Sequence, residues 1–252
     1  QRWIPAWAGM TRFNFALIRS TTTRMTDEPD ELIPLDPEFG TRFERERRPK
    51  TQLYVVSPPV FDAGFPAKLE AALSGGPVAA FQLRLKGVDD AAILAAAAAC
   101  IEVCKRHDVA FILNDRADLA KQCGADGVHL GQSDGSVKDA RALLGPDAQI
   151  GVTCHDSRHL AMEAGEAGAD YVAFGAFYDT TTKPSHYRPR PDILSWWTTI
   201  SQLPCVAIGG ITPANAAPLV AAGADFIACV NAVWLHPDGP GAGVASFGPV
   251  LA

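Results

Sequence analysis

From residue 50 onward, eight short apolar runs alternate with alanine-rich segments of helical period, and one glycine-stopped junction recurs three times. Together these observations predict a single closed (β/α)8 barrel of the TIM type. The runs read as strands at 52–57, 78–85, 109–114, 127–131, 149–154, 171–176, 204–209 and 225–230. The segments between them read as helices near 65–74, 89–106, 116–123, 136–144, 157–167, 191–201 and 213–222, with a last short helix near 240–251. Strands that alternate with helices pair in parallel, because each crossover returns the chain to the same end of the sheet. The repeated junction is Gly124-Ala125-Asp126, Gly168-Ala169-Asp170 and Gly223-Ala224-Asp225. In each, glycine stops a helix in the left-handed region, an acidic turn residue follows, and a buried strand begins. An open doubly wound sheet also satisfies the alternation; the repeat and the count of eight favour the barrel.

The barrel domain is expected over residues 50–252, preceded by an N-terminal extension, 1–49, that is partly disordered. Residues 1–24 lack sustained periodicity, and Trp3 to Thr11 resembles the conceptual translation of a repeated bacterial intergenic element. Met25 then reads as the start of the natural chain; a disordered natural extension is the other reading. Thr41 to Lys50 mixes Arg and Glu densely, as a solvated lead-in does.

Composition sets further bounds. With 252 residues and 48% hydrophobic content, the chain can bury one sizeable core. A net charge of −6 argues against a general nucleic-acid surface or a polybasic membrane patch. The longest apolar run, Ala91 to Ile101, is far shorter than the roughly 20 residues that span a bilayer. No secretory signal is visible. The six cysteines, at 100, 104, 123, 154, 205 and 229, form no Cys-x-x-Cys pair and read as reduced structural thiols. A cytoplasmic location follows as the expectation, with small molecules as partners; a homo-oligomer is left open.

The chemistry is expected where strands end. In a barrel of this kind active sites occupy the C-terminal rim. Along Phe81 to Lys86 a strand's two-residue period puts Gln82, Arg84 and Lys86 on one face. Asp115, after Ile112-Leu113-Asn114, and Asp134, after Val128 to Ser133, each follow an apolar run, so neighbouring strands should bring both carboxylates to one rim. Cations inside a barrel are costly to desolvate unless an anion or carboxylate pairs with them. A structural ion-pair layer is the plain account of that grouping. A site for a metal ion and a polyphosphate is the account preferred here. Either aspartate alone could instead cap a helix. For the pair, together with Asn114, ligation of Mg2+ is favoured, since that ion takes few carboxylates and completes its shell with water and phosphate oxygens.

Gly209-Gly210 and Val230-Asn231 end the last two strands, where loops often cradle a phosphate with backbone N–H groups. Tyr178 to Pro184 is a polar loop whose hydroxyls and Lys183 suit a phosphate as well as they suit an ordinary surface turn. Thr153 and His155 follow the fifth run; His155 reads as a hydrogen-bonded rim residue without a catalytic role. His129 lies inside a strand and is assigned to core packing.

The motifs on that rim resemble those of the thiamine-phosphate synthase family. The family pattern Gln-x-Arg-x-Lys reads here as Gln82 to Lys86, Asn-Asp-Arg as Asn114-Asp115-Arg116, and Val-His-Leu-Gly-Gln-x-Asp as Val128 to Asp134. A Thr-x-Thr-Lys loop appears at Thr180 to Lys183 and Ile-Gly-Gly-Ile at Ile208 to Ile211. The resemblance runs from about residue 50 to 235, in the same order and with similar gaps. It implies a Mg2+-dependent transferase that joins hydroxymethylpyrimidine diphosphate to hydroxyethylthiazole phosphate, giving thiamine phosphate and pyrophosphate. Carried over by position, Asp115 and Asp134 hold Mg2+, and Arg84, Lys86, Asn114 and Lys183 grip the diphosphate. Arg84, Lys86 and Lys183 then act catalytically on the leaving group. Gln82 and Thr153 address the pyrimidine, and Thr180, Thr182, Gly210, Val230 and Asn231 hold the thiazole phosphate.

Five positions depart from the family pattern. Leu85 stands for a glutamate and alternates away from the mouth, and Thr153 replaces a serine while keeping the hydroxyl. Ala176 and Asp179 replace prolines, and Asn231 replaces a serine. A carboxylate such as Asp179 repels a nearby phosphate unless it is turned away or paired with a cation. Two other functions share the same barrel: a thiazole tautomerase, which needs neither the carboxylate pair nor the diphosphate cations, and a non-catalytic paralogue that binds a phosphorylated thiamine precursor.

Overall fold

The computed structural model describes residues 48–180 and 186–251. Most of the N-terminal extension, Met25 included, lies outside the described residues. In chain order the elements are β1 (Gln52–Val56), α1 (Phe65–Ser74), β2 (Ala80–Leu83), α2 (Asp90–Arg106), β3 (Ala110–Asn114), α3 (Ala117–Cys123), β4 (Gly127–Leu130) and α4 (Val137–Leu144). They continue as β5 (Gln149–His155), α5 (Arg158–Glu166), β6 (Tyr171–Gly175), α6 (Asp192–Ile200), β7 (Cys205–Ile208), α7 (Ala217–Ala221) and β8 (Phe226–Cys229). Three short helices follow: α8 (Asn231–Trp234), α9 (Pro240–Ala245) and α10 (Gly248–Leu251). All eight strands are parallel and close into a barrel in sequence order, with β1 paired to β8 through Gln52 opposite Phe226.

The repeated junction shows how the sequence folds at the N-terminal rim. Gly124, Gly168 and Gly223 have φ of 71°, 93° and 96°, the region in which a side chain is strained. The aspartate two residues on then accepts from the first N–H groups of a neighbouring strand. Asp126 Oδ2 takes the Phe111 N–H at 2.8 Å, Asp170 Oδ2 takes Ile150 at 2.7 Å, and Asp225 Oδ2 takes Cys205 at 2.8 Å. Asp225 is also gripped by Arg48 Nη1 at 2.7 Å, so the last residues of the lead-in are tied to the barrel floor.

Two apolar layers result. Outward-facing strand residues such as Val55, Phe81, Phe111, Val128, Ile150 and Phe174 pack against the helices, and the alanines of α2 let that long helix lie close. Inward-facing Tyr54, Val56, Ile112, Tyr171, Val206 and Phe226 fill the barrel, so its interior is a packed core with the open end at the strand C-termini. The predicted second strand is shortened, since pairing stops at Leu83. Arg84 and Lys86 therefore stand in the loop beyond it. The helix expected over 213–222 contracts to α7, because Pro218 is tolerated only in a first turn. All six cysteines are free thiols. Among the described residues, no helix is long and apolar enough to cross a membrane.

Candidate active site

Polar side chains converge on the C-terminal rim from adjacent strands. Gln82, in β2, is only 4% exposed, and its Nε2 donates to Oδ1 of Asn114, the last residue of β3, at 2.7 Å. Among the described residues no partner meets Gln82 Oε1 or Asn114 Nδ2, leaving an acceptor oxygen and a donor NH2 group for a ligand. Arg84 follows on the same strand side. Its backbone is fixed by Ser57, whose Oγ accepts from Arg84 N at 2.8 Å and donates to Arg84 O at 3.3 Å. The half-buried Arg84 guanidinium pairs with no carboxylate among the described residues. A partly desolvated guanidinium that meets no carboxylate among the described residues suits an anion site better than an ion-pair layer.

The expected carboxylates meet. Lys86 Nζ bonds Asp115 Oδ2 directly. Asp115 adopts φ 65°, a left-handed conformation that costs a non-glycine residue and is tolerated where the surroundings enforce it. Here its N–H is held by His129 O at 2.8 Å. Asp134 Oδ2 accepts from Gly131 N at 3.0 Å, closing the loop after β4. Burial raises the Asp134 carboxyl above its ordinary range, and a hydrogen bond and like charge from Asp115 raise it further, against the Gly131 N–H and Lys86. Neither aspartate caps a helix: Ser136 caps α4 by accepting from Asp139 N at 3.0 Å, and Arg116 occupies the N-cap of α3. The two carboxylates thus lie side by side at the rim without serving as helix caps. Among the described residues no cluster of three or more metal-type ligands forms. A pair suffices for Mg2+, which binds through one or two carboxylates and keeps its waters, so this donor set fits that ion.

Thr153, in β5, presents Oγ1 to His129 Nε2 at 2.8 Å, and His129 Nδ1 lies 3.1 Å from Tyr171 Oη. Packing alone does not account for His129: both ring nitrogens are hydrogen-bonded, and one of them reaches a site residue. The sequence signal was available, since Val128 and Leu130 face the helices and alternation turns His129 inward.

The opposite half of the mouth belongs to β6, β7 and β8. Gly210 has φ 63°, and a Cβ there would fall 2.2 Å from Asp179 O, so the loops after β6 and β7 touch only because it is glycine. Val230 sits at the N-cap of α8, with Asn231 opening that helix. Asp179 does not stand alone, because Arg188 Nη2 holds its Oδ1 at 2.8 Å. The carboxylate that would repel a phosphate is thereby cation-paired. Tyr187 stacks on His155 with centroids 4.1 Å apart and rings 24° from parallel, and His155 takes φ 55°. Neither Arg188 nor Tyr187 was singled out from sequence, for the loop's turn residues carry no period. Thr180 lies half-buried beside Asp179. Thr182 and Lys183 lie outside the described residues.

This geometry has relatives. A model of the family described as thiamine monophosphate synthase matches residues 53–233. A thiamine-phosphate synthase of Rhodospirillum centenum is 56% identical over 201 residues, covering 79% of this chain and 97% of the relative. One from Erythrobacter litoralis is 57% identical over 188 residues, covering 73% and 88%. Among solved structures, the thiamine phosphate pyrophosphorylase of Pyrococcus furiosus superposes with a TM-score of 0.71 at 27% identity, over 79% of this chain and 95% of that one. Orotidine 5'-phosphate decarboxylase of Pyrococcus horikoshii, with a TM-score of 0.57 at 15% identity over 78% of this chain and 98% of that one, shares the fold alone. The extent of the match, over a barrel whose mouth joins paired carboxylates to cations, establishes that this chain belongs to the thiamine monophosphate synthase family.

Proposed function

We propose that the rim joins a pyrimidine diphosphate to a thiazole phosphate with release of pyrophosphate, using Mg2+ held by Asp115 and Asp134. The chain is a transferase of thiamine biosynthesis by family, and its substrates are small phosphorylated molecules. The residue roles are the proposal. The observation that carries it is the Lys86–Asp115 bond with the Asp134 carboxyl beside it, while Arg84 meets no carboxylate among the described residues.

Breaking the bond between the methylene carbon and the diphosphate oxygen leaves a pyrimidine-stabilised cation and builds negative charge on the departing group. The protein's task is to stabilise that charge more than the ground state. Arg84 offers a planar fork to the phosphate oxygens, Lys86 a mobile point charge, and Asn114 Nδ2 a neutral donor. Lys183 adds a third cation in this reading. When bound, Mg2+ neutralises diphosphate charge and fixes the leaving oxygens. Gln82 and Thr153 orient the pyrimidine, while Thr180, Thr182, Gly210, Val230 and Asn231 hold the thiazole phosphate so that its ring nitrogen faces the methylene carbon. No protein nucleophile is required, since positioning and charge neutralisation account for the reaction.

The pairing of Asp179 with Arg188 offsets the carboxylate's charge near the thiazole-phosphate loops, which supports the synthase reading over a non-catalytic paralogue. A tautomerase has no use for the carboxylate pair. The deciding assay measures pyrophosphate release with both substrates, either substrate alone, and both with chelator. Release that needs both substrates and the metal is expected. Isomerisation of a thiazole phosphate without metal, or tight binding without turnover, would replace this reading.

A further inference from the structure

We propose that Asn215 and Tyr178 are positioning residues: by holding the backbone after β7, they turn the Gly210 and Ile211 N–H groups towards a bound phosphate. The inference rests on the synthase reading for the identity of that phosphate, a thiazole phosphate, but not for the clamp itself.

The clamp is built from two loops. Asn215 stands half-buried between β7 and α7. Its Nδ2 donates to Gly210 O at 3.0 Å, and its Oδ1 accepts from Thr212 N at 2.8 Å. Its own N–H donates to Thr212 O at 3.1 Å, closing a turn over Pro213 and Ala214. Tyr178, from the loop after β6, grips the same segment at two points. Its backbone N–H donates to Gly209 O at 3.0 Å, and its Oη donates to Asn215 O at 2.7 Å.

These bonds fix a direction. In a trans peptide the carbonyl and the following N–H point opposite ways. With Gly209 O committed to Tyr178 and Gly210 O to Asn215, the Gly210 and Ile211 N–H groups turn away from both partners. Among the described residues neither N–H has an acceptor. Ile211 is 4% exposed, and a backbone donor so nearly buried is costly to leave without a partner. Two successive N–H groups presented side by side suit an anion.

The residue types fit the task. The turn is already closed by the backbone bond from Asn215 to Thr212, so the side-chain bonds add orientation. Only an amide can donate to Gly210 O and accept from Thr212 N at once. Phenylalanine at 178 would fill the same volume and keep the backbone bond to Gly209, so the phenol hydroxyl is the part that holds Asn215 in place.

The test has two arms. In the ligand-free full chain, titration with inorganic phosphate should shift the Gly210 and Ile211 amide signals in 1H–15N spectra. Asn215→Ala should weaken that binding roughly tenfold, and Tyr178→Phe roughly three- to fivefold, the weight of one or two hydrogen bonds. Amides that ignore phosphate in the wild type, or variants that bind it as the wild type does, overturn the proposal whatever the reaction proves to be. In kinetics, the same variants should raise KM for the thiazole phosphate by similar factors, with KM for the pyrimidine diphosphate within about twofold. Equal rises in both KM values would show a merely structural role and overturn the proposal. Should Asn215→Ala fail to fold, Tyr178→Phe, which keeps the volume and the backbone bond, decides both arms. Absence of any pyrophosphate release in the wild type would overturn the synthase reading while leaving the phosphate titration intact.

Discussion

Lys86 Nζ bonds Asp115 Oδ2 across the gap between the ends of β2 and β3, placing a cation against one of two neighbouring carboxylates. Lys86 is exposed and Asp115 largely covered, so the contact can yield when an anion arrives and Lys86 can turn to it. An ion pair of this exposure adds little to stability. Its value is local: it keeps two carboxylates tolerable side by side.

Arg84 separates binding from stability. Its guanidinium has no carboxylate partner among the described residues, so Arg84→Ala removes no internal ion pair. The melting temperature should stay within about 2 °C, as for a substitution away from core features. KM for the diphosphate substrate should rise roughly 10- to 100-fold, the weight of lost charge-assisted hydrogen bonds. Steady-state kinetics beside a thermal melt checks both halves. An unchanged KM would remove Arg84 from the diphosphate site.

Arg188 is expected to matter through Asp179. With the cation gone, the Asp179 carboxylate repels a phosphate seated at Gly210. Arg188→Ala should raise KM for the thiazole phosphate by roughly two- to fivefold, and less at high salt, because the pair is open to solvent. Adding Asp179→Asn should restore the value. Failure of that rescue would mean that Arg188 acts by some route other than charge.

Both of these residues bear on how far the site was legible before the fold was known. The barrel could be read from local patterns: the Gly-Ala-Asp junctions are one device used three times, and each aspartate proves to bond a neighbouring strand's N–H. Gln82, Asn114, Asp115 and Asp134 were legible because alternation and strand ends fix where such side chains stand. Arg188 and Tyr187 were not, since a contact between residues nine positions apart, outside any strand or helix pattern, leaves no period in the sequence. The hydrogen-bonding role of His129 was hidden differently. Alternation places it inside the barrel, but only the packing of β5 and β6 shows that Gly151 admits Tyr171 beside it.

Gly151→Ala should be disproportionately harmful for one added methyl. The new carbon meets the Tyr171 ring at 2.0 Å, and a fully buried ring inside a closed barrel has little room to retreat. Overpacking of this kind costs about 1–3 kcal/mol. Urea unfolding should show the midpoint falling with an unchanged slope. A midpoint equal to wild type would mean that the barrel can widen locally.

The buried thiols make a pH prediction. Burial pushes Cys100 and Cys154 up to about 12, above the ordinary thiol value of about 8.5. At pH 8 both remain protonated in the folded chain and should resist alkylation, which needs the thiolate. Above about pH 8.5 the unfolded chain sheds thiol protons that the folded chain keeps. The folded state binds more protons there, so the stability contributed by these groups is intact below that pH and is lost as pH rises towards 12. Alkylation followed by mass spectrometry at pH 8, with and without denaturant, checks the first point, and denaturation midpoints between pH 8 and 10 check the second.

The proposed reaction depends on what Asp115 and Asp134 do together. The most direct measurement is Mg2+ titration of pyrophosphate release, with both substrates present, in wild type, Asp115→Asn and Asp134→Asn. Wild-type turnover should saturate with Mg2+, and each variant should lose at least about 100-fold in kcat/KM, as when charge stabilisation of a transition state is removed. Each should also need more metal for what remains. Variants that keep both wild-type turnover and the wild-type Mg2+ midpoint would contradict it.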